Sequence, residues 1–439
     1  MQQTERLTVE QVEARLAERI GRDAVVANQE LAAQLTGQTT PVVKVSPASE
    51  EQAAELFRAV SEYGLTAAPI GGATQLAMGN VPERIDVAVS SERLDKVVEY
   101  SPADMVVSVQ AGVQLGSLQA VLREHGQQLP IDPLVSGAAT VGGIIATGVS
   151  GPMRTLYGGL RDMTIGLHTV YPNGNIVKAG GKVVKNVAGY DMTKLFVGSL
   201  GSLAYITEAS FKLRPIPTHM ELCLLSGSAE QVNQLSSKMI HSHLIPARME
   251  AITGGLSNLE QPNRPWVLAI ESHENHTSAG YQTRQLQAWG QDLGMDSYVL
   301  QASDVEGFWK DYRSQLLESE AAIRLTSAPN RMMELVQRLK SQLEGLGLSV
   351  RTSAGVFIGV ARVYMSGGSL VEQERAIQLC RELVAVNKGT AGVEFAPLEL
   401  RKRIDSFGPV QSELALMKGI KTAIDPNRLM SPGRFVGGI

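Results

Sequence analysis

Residues 139–151 of this chain, ATVGGIIATGVSG, carry four glycines and no charge. Glycine lets backbone approach a ligand closely and accepts positive φ, so successive amide N–H groups can converge on a phosphate. Two further stretches share this chemistry: PIGGATQL at 69–76, and GGKVVKNVAGYD followed by VGSLGSL between 180 and 203. Each has an ordinary reading of its own. GGAT alone is a turn in most sequences, VGGIIATG serves equally well as a tight helix–sheet contact, and Gly201 suits a simple bulge. Their joint presence within about 130 residues, each closing an element, points instead to a long ligand with several phosphates or rings. The chain has no GxGxxG after a first strand and no GxxxxGK[ST], so that ligand is held by neither a dinucleotide fingerprint nor a P-loop.

At 439 residues the chain exceeds the size at which one hydrophobic core stops growing, and two or three domains are expected. Net charge is −4 with lysines and arginines dispersed, which gives nucleic-acid binding no electrostatic support. Only Cys223 and Cys380 occur, too few for a disulfide framework or for an iron–sulfur cluster of the chain's own. The first twenty-one residues, MQQTERLTVEQVEARLAERIG, are charged throughout, with Leu7, Val12, Leu16 and Ile20 at roughly helical spacing. No stretch reaches ~18 uninterrupted apolar residues. The reading is a cytoplasmic protein that meets a membrane only peripherally, through a partner.

Strand and helix signals alternate through the first half, so the class is mixed α and β. PVVKVSP reads as a strand, and SPASEEQAAELFRAVSEYG as a helix capped by Ser46, with Pro47 first, an apolar stripe at Ala53, Leu56, Phe57 and Val60, and a stop at Gly64. LTAAPI and DMVVSVQAGV read as strands. A helix follows on Leu115, Leu118 and Leu122, with His125 beside its stop, Gly126. TIGLHTVYPNGNIVKAGG reads as a hairpin turning at Asn173-Gly174. Beyond Pro217, single helices between pairs of strands, twice over, suggest an antiparallel sheet of ferredoxin-like character. The expected organisation is a helical segment at 1–37, a ligand-binding domain at 38–217, an α+β cap at 218–395, and a tail at 396–439 that returns to the first domain.

The block from PIGGATQL to LAYITEASFKLRP resembles the FAD-binding domain of the vanillyl-alcohol-oxidase-type, or PCMH-type, flavoproteins over about residues 38–217. GGKVVKNVAGYD with LFVGSLGSL most resembles the flavin subunits of glycolate oxidase and D-lactate dehydrogenases, and within these the second FAD-binding subunit of bacterial glycolate oxidase. The resemblance implies an α+β fold, a two-subdomain FAD-binding domain followed by an α+β cap with an antiparallel sheet. It implies that Ile70, Gly71, Gly72, Ala73, Thr74 and Gln75 wrap the FAD pyrophosphate. Thr140, Gly142, Gly143, Thr147, Gly148 and Gly151 would lie along the ribityl chain and isoalloxazine, preceded by Pro133. Gly189, Tyr190, Gly201 and Ile206 would complete the pocket, with Lys182 or Lys185 balancing phosphate or reduced-flavin charge. Relatives with covalent FAD often carry a histidine in the first loop. Ala73 stands there in this chain, so the FAD is expected to be non-covalent, and its methyl group adds bulk beside the pyrophosphate.

Oxidation of a 2-hydroxy acid needs a base for the hydroxyl proton and cations for the carboxylate. Catalytic members resemble one another in a cap segment of the type HxGDGNxH. The corresponding TSAGVFIGVARVYMSGG has no histidine and no carboxylate. The paired histidines, His241 with His243 and His273 with His276, read as ordinary surface residues rather than metal ligands, and no metal is expected. Arg362, Tyr364 and Arg434 are candidates for carboxylate contacts, weighed against ordinary surface charges or ion pairs, and Trp309 reads as core packing. Catalytic residues stay unassigned.

The leading expectation is an FAD-binding subunit of a glycolate or D-lactate oxidising complex. It would convert a 2-hydroxy acid to a 2-oxo acid beside a second flavin subunit and an iron–sulfur subunit that takes the electrons. One alternative is a stand-alone FAD-dependent 2-hydroxy acid or alcohol dehydrogenase. The other is a non-catalytic assembly subunit that retains the FAD fold.

Overall fold

A computed structural model describes residues 6–181, 190–409 and 412–439. The chain opens with a four-stranded sheet in the order Val25–Asn28, Val42–Val45, Val87–Ser90, Ala67–Ile70, in which only the first strand runs antiparallel to its neighbour. Helices Val9–Ile20 and Glu50–Glu62 cover it, burying Val12, Leu16 and Ile20 from one and Leu56, Phe57 and Val60 from the other. Each such aliphatic or aromatic side chain contributes roughly 1.5–3 kcal/mol by burial. The second helix starts later than its sequence suggests. Ser49, not Ser46, is the N-cap and accepts a hydrogen bond from Gln52 N at 3.2 Å. Both serines satisfy the cap preference, but only a cap at Ser49 leaves Ser46 and Pro47 free to end the preceding strand.

A second, antiparallel sheet follows, in the order Val97–Ser101, Val106–Gln110, Tyr205–Lys212, Thr164–Val170, Ile176–Gly180. Its last two strands are joined at the expected Asn-Gly turn, where Gly174 has φ 79° and Asn173 accepts from Asn175 N. Helices Leu115–Arg123 and Val141–Thr147 pack on this sheet through Leu118, Leu122, Ile144 and Ile145.

Between Pro215 and His219 the chain passes into an eight-stranded sheet. Its order is Asp296–Gln301, His219–Gly227, Trp266–Glu274, Arg248–Thr253, Ser349–Gly355, Val360–Ser366, Ala321–Thr326, Thr390–Phe395. This is two βαββαβ units laid side by side, each ferredoxin-like, joined where the second strand of one, Arg248–Thr253, pairs antiparallel with the second strand of the other, Ser349–Gly355. Four helices, Ala229–Ile240, His276–Asp292, Pro329–Glu344 and Leu370–Val386, cover one face. Helix Ala302–Leu317, the link between the units, lies on the other face, where Leu134 of the first half also packs.

Strand alternation decides what this second face presents. In Val360–Ser366, Ala361, Val363 and Met365 enter the four-helix core, so Arg362 and Tyr364 point toward the glycine-rich half. The tail then returns to the first domain: Ala67 N donates to Leu429 O, Ser431 N donates to Ala67 O, and buried Lys421 pairs with Asp425 at 2.6 Å.

Candidate functional site

The glycine loops meet at one cavity lined by Pro69–Leu76, by Ala139, Thr140, Gly142, Gly143 and Thr147, and by Leu200, Gly201 and Ile206. Thr140 ties the first two loops together. It caps helix Val141–Thr147, and its hydroxyl oxygen accepts from Gly143 N and Gly72 N, each at 3.4 Å. A Cβ on Gly72 would collide with Ala138 O, and one on Gly142 would lie 2.8 Å from Ala111 Cβ, so these walls are built from backbone at contact distance. Gly201 has φ 69° and packs on Pro69, a conformation that L side chains resist.

Among the described residues lining this cavity there is no carboxylate, and Arg434 is the one charged residue. Arg434 is 5% exposed and its Nε has no hydrogen-bond partner among the described residues, while Nη2 donates to Leu76 O at 3.4 Å. Burial, reinforced by nearby Arg401, pushes its pKa down to about 10, which still leaves it cationic at neutral pH. Arg401 is itself buried with Nε and Nη1 unpartnered. An orphaned, buried cation beside converging loop backbone fits the pyrophosphate of a dinucleotide. The residues present therefore fit FAD.

Gln75 and Val149 also line a second, adjoining cavity, bounded by Asp132, Gly151, Trp309, Tyr312, Arg313, Arg362, Tyr364 and Glu394. It lies where the glycine-rich half meets the polar face of the large sheet. Arg362 is held there by a bidentate pair with Glu394, Nε to Oε2 at 2.7 Å and Nη2 to Oε1 at 3.1 Å, and donates to Ser150 O across the boundary. Arg248 bridges Asp132 at 3.1 Å and Glu271 at 2.5 Å, with its guanidinium over the Trp309 ring. Burial opposes the ionisation of Glu271, yet Arg248 and His273 hold its pKa down to about 2. His273 bonds Glu271 through Nε2 and the Tyr157 hydroxyl, at 2.8 Å, through Nδ1. Deeper in the same face, Tyr312, Ser353 and Glu250 form a hydrogen-bonded row.

Of the predicted cofactor residues, Ile70, Gly71, Gly72, Ala73, Thr74, Gln75, Pro133, Thr140, Gly142, Gly143, Thr147, Gly201 and Ile206 line the first cavity. Gly151 faces the second cavity and Gly148, with φ 65°, a third one beside Arg324. Both serve close packing within the glycine-rich half, Gly148 against Gly198 and Gly151 against Asp132 O. Tyr190 is 97% exposed and is not among the described residues that line the cavity. Gly189, Lys182 and Lys185 fall outside the described residues. His273 is likewise not a surface residue: the strand Trp266–Glu274 carries it onto the polar face, where its side chain is 3% exposed. Among the described residues no group of histidines, cysteines and carboxylates is arranged to hold a metal ion, and no helix is long and apolar enough to cross a membrane. Sequence reasoning missed Glu250 and Glu271, although Glu271 is a lone charge inside the apolar strand WVLAIES and Glu250 sits between Met249 and Ala251 in RMEAI, which was the available signal.

Comparison with known proteins agrees with this geometry. Residues 41–180 match the family model described as FAD binding domain. The chain is 26% identical to the mitochondrial D-lactate dehydrogenase (cytochrome) of Arabidopsis thaliana, over 90% of this chain and 73% of that protein. It is 26% identical to glycolate oxidase subunit GlcD of Bacillus subtilis, over 91% of this chain and 89% of that protein. A shorter match, 41% identical, covers 28% of this chain and 35% of glycolate oxidase subunit GlcE of Escherichia coli. Among solved structures, p-cresol methylhydroxylase superimposes with a TM-score of 0.76 at 15% identity, covering 97% of this chain and 96% of that one, which establishes a shared fold. The chain thus carries an FAD-binding domain over residues 41–180 and is an FAD-dependent oxidoreductase.

Proposed function

We propose that the chain is the FAD-binding subunit of a glycolate or D-lactate oxidising complex, taking a 2-hydroxy acid to the 2-oxo acid and passing the electrons to an iron–sulfur partner. The observation that carries the reading is the second cavity, which adjoins the cofactor cavity through Gln75 and Val149 and collects arginines and tyrosines on its cap side. Relatives that span nine-tenths of the chain are a D-lactate dehydrogenase and a glycolate oxidase subunit, and they suggest the substrate class. FAD, when bound, supplies the two-electron acceptor.

The roles of the chain's own groups follow from charge and position. Backbone at Gly71 to Gln75 and the Arg434 guanidinium would hold the pyrophosphate, and Gly142, Gly143 and Thr147 would lie along the flavin, with no covalent attachment. Arg313 lines the second cavity, has no salt bridge among the described residues, and binds the substrate carboxylate; Arg362, already paired with Glu394, shapes the wall.

Two cysteines cannot supply the four thiolates of a cluster, so an iron–sulfur centre in this scheme belongs to another chain. The purified chain and the same chain co-purified with its partners should be compared for dye reduction by glycolate and by D-lactate. The proposal expects quinone-linked electron transfer only in the complex. Quinone reduction by the isolated chain at the rate of the complex would contradict the subunit reading in favour of a stand-alone dehydrogenase.

A further inference from the structure

No histidine is among the described residues lining the second cavity, and the residues packed beneath it offer a route for the substrate hydroxyl proton. Tyr312, at 5% exposure, lines the cavity, and its hydroxyl lies 2.6 Å from Ser353 Oγ. Ser353 Oγ in turn donates to Glu250 Oε2 at 2.6 Å. Ser353 and Glu250 are 3% and 5% exposed. Because the serine has a single proton and spends it on Glu250, Tyr312 must be the donor to Ser353 whenever Glu250 is ionised.

We propose that Tyr312, Ser353 and Glu250 form a proton relay that accepts the hydroxyl proton of the substrate from the second cavity. In the balanced step the substrate O–H bond breaks, and its proton goes to the Tyr312 oxygen as the tyrosine proton moves to Ser353 and the serine proton to Glu250. The electron pair of the substrate C–H bond leaves as hydride to the flavin. The row then points the other way, from protonated Glu250 through Ser353 to Tyr312. The inference rests on the function proposed above.

The surroundings suit a carboxyl that changes protonation rather than one locked in an ion pair. No salt bridge reaches Glu250 among the described residues, because Arg362, two strands away, is held by Glu394, and Arg248 on its own strand by Asp132 and Glu271. Tyr364 and Arg362 face it from strand Val360–Ser366, Tyr312 from the covering helix, Asp132 from the glycine-rich half, and Glu271 lies on the next strand. Burial raises its pKa to about 7, opposed by the Ser353 hydrogen bond and Arg362, and reinforced by Asp132. A base with that affinity is matched to work near neutral pH.

The test uses the FAD-loaded protein with glycolate and D-lactate in single-turnover flavin bleaching across neutral pH. Wild type, Glu250→Gln, Ser353→Ala and Tyr312→Phe are compared, and the Glu250 carboxylic acid C=O stretch is followed in parallel by infrared titration. The relay predicts a wild-type rate that rises with pH with a midpoint near 7, and a carboxylic acid band, absent in Glu250→Gln, that disappears over the same range. Glu250→Gln and Ser353→Ala should lose about 100-fold in rate above neutral pH and flatten the profile, with KM little changed. A Glu250→Gln variant that keeps the wild-type pH midpoint, or a Glu250 band that does not titrate, overturns the relay and leaves the proposed function standing. A wild type that neither acid bleaches overturns the proposed function, and the relay with it.

Discussion

Arg248, at the start of the central cap strand Arg248–Thr253, reaches across to Asp132 of the glycine-rich half, with Nε 3.1 Å from Oδ2. Asp132 also accepts from Met153 N at 3.1 Å, so one carboxylate orients both a cap side chain and the loop after the glycine helix. The Arg248 side chain is 12% exposed and that of Asp132 8%. Removing one member of a buried pair leaves the other charge without compensation, which costs roughly 3–5 kcal/mol. Arg248→Met should therefore lower unfolding stability by that order in a denaturant titration. A loss within about 0.5 kcal/mol, typical of a surface change, would contradict this role.

Arg434→Gln should weaken FAD binding by about 10- to 100-fold, since a hydrogen bond to a charged group is worth roughly 1.5–3 kcal/mol. Titration of the apoprotein with FAD, followed by flavin fluorescence, reads this directly. Unchanged affinity would mean that the buried guanidinium faces something other than the pyrophosphate.

Ala73 has φ 57°, a left-handed conformation that costs an L residue about 1–2 kcal/mol. Ala73→Gly should raise stability by roughly 1 kcal/mol, less the extra entropy glycine loses on folding, and should not weaken FAD binding. A lower melting temperature with looser FAD binding would show that the methyl group is needed.

Glu250 gives a stability signature independent of turnover. Its pKa is raised from 4.5 to about 7 in the folded protein, so the folded state keeps a proton that the unfolded chain releases, and stability falls as pH rises across that interval. Above about pH 7 the buried carboxylate costs roughly 3 kcal/mol. Glu250→Gln should consequently be more stable than wild type near pH ~8 and no more stable near pH ~4, measured by melting at both. A stabilisation that appears at the acid end instead would reverse the sign and refute the assignment.

Much of the cofactor cavity was legible because its chemistry is local. PIGGATQL, ATVGGIIATG and Gly201 each announce close backbone approach within a few residues, and the fold brings them to one cavity. The double ferredoxin-like sheet was legible for the same reason, since each strand and helix carries its own periodicity. The polar face was not. Asp132 and Arg248 are 116 residues apart, and nothing in either segment names the other. His273 looked exposed because ESHENHTS reads as a polar loop, whereas the strand Trp266–Glu274 extends through it and turns the imidazole inward. The helix cap at Ser49 was displaced by an equally suitable Ser46 three residues earlier, a choice that the end of the preceding strand decides.

The central claim is an FAD whose adjoining cavity oxidises a 2-hydroxy acid, and the visible absorption spectrum of the purified protein tests it most directly. The account predicts a flavin spectrum, release of the flavin into the supernatant on acid precipitation, and bleaching of the bound form under anaerobic glycolate or D-lactate. A folded protein that takes up FAD but is bleached by neither acid would contradict the catalytic claim, and a colourless one that takes up no FAD would contradict the account from its first step.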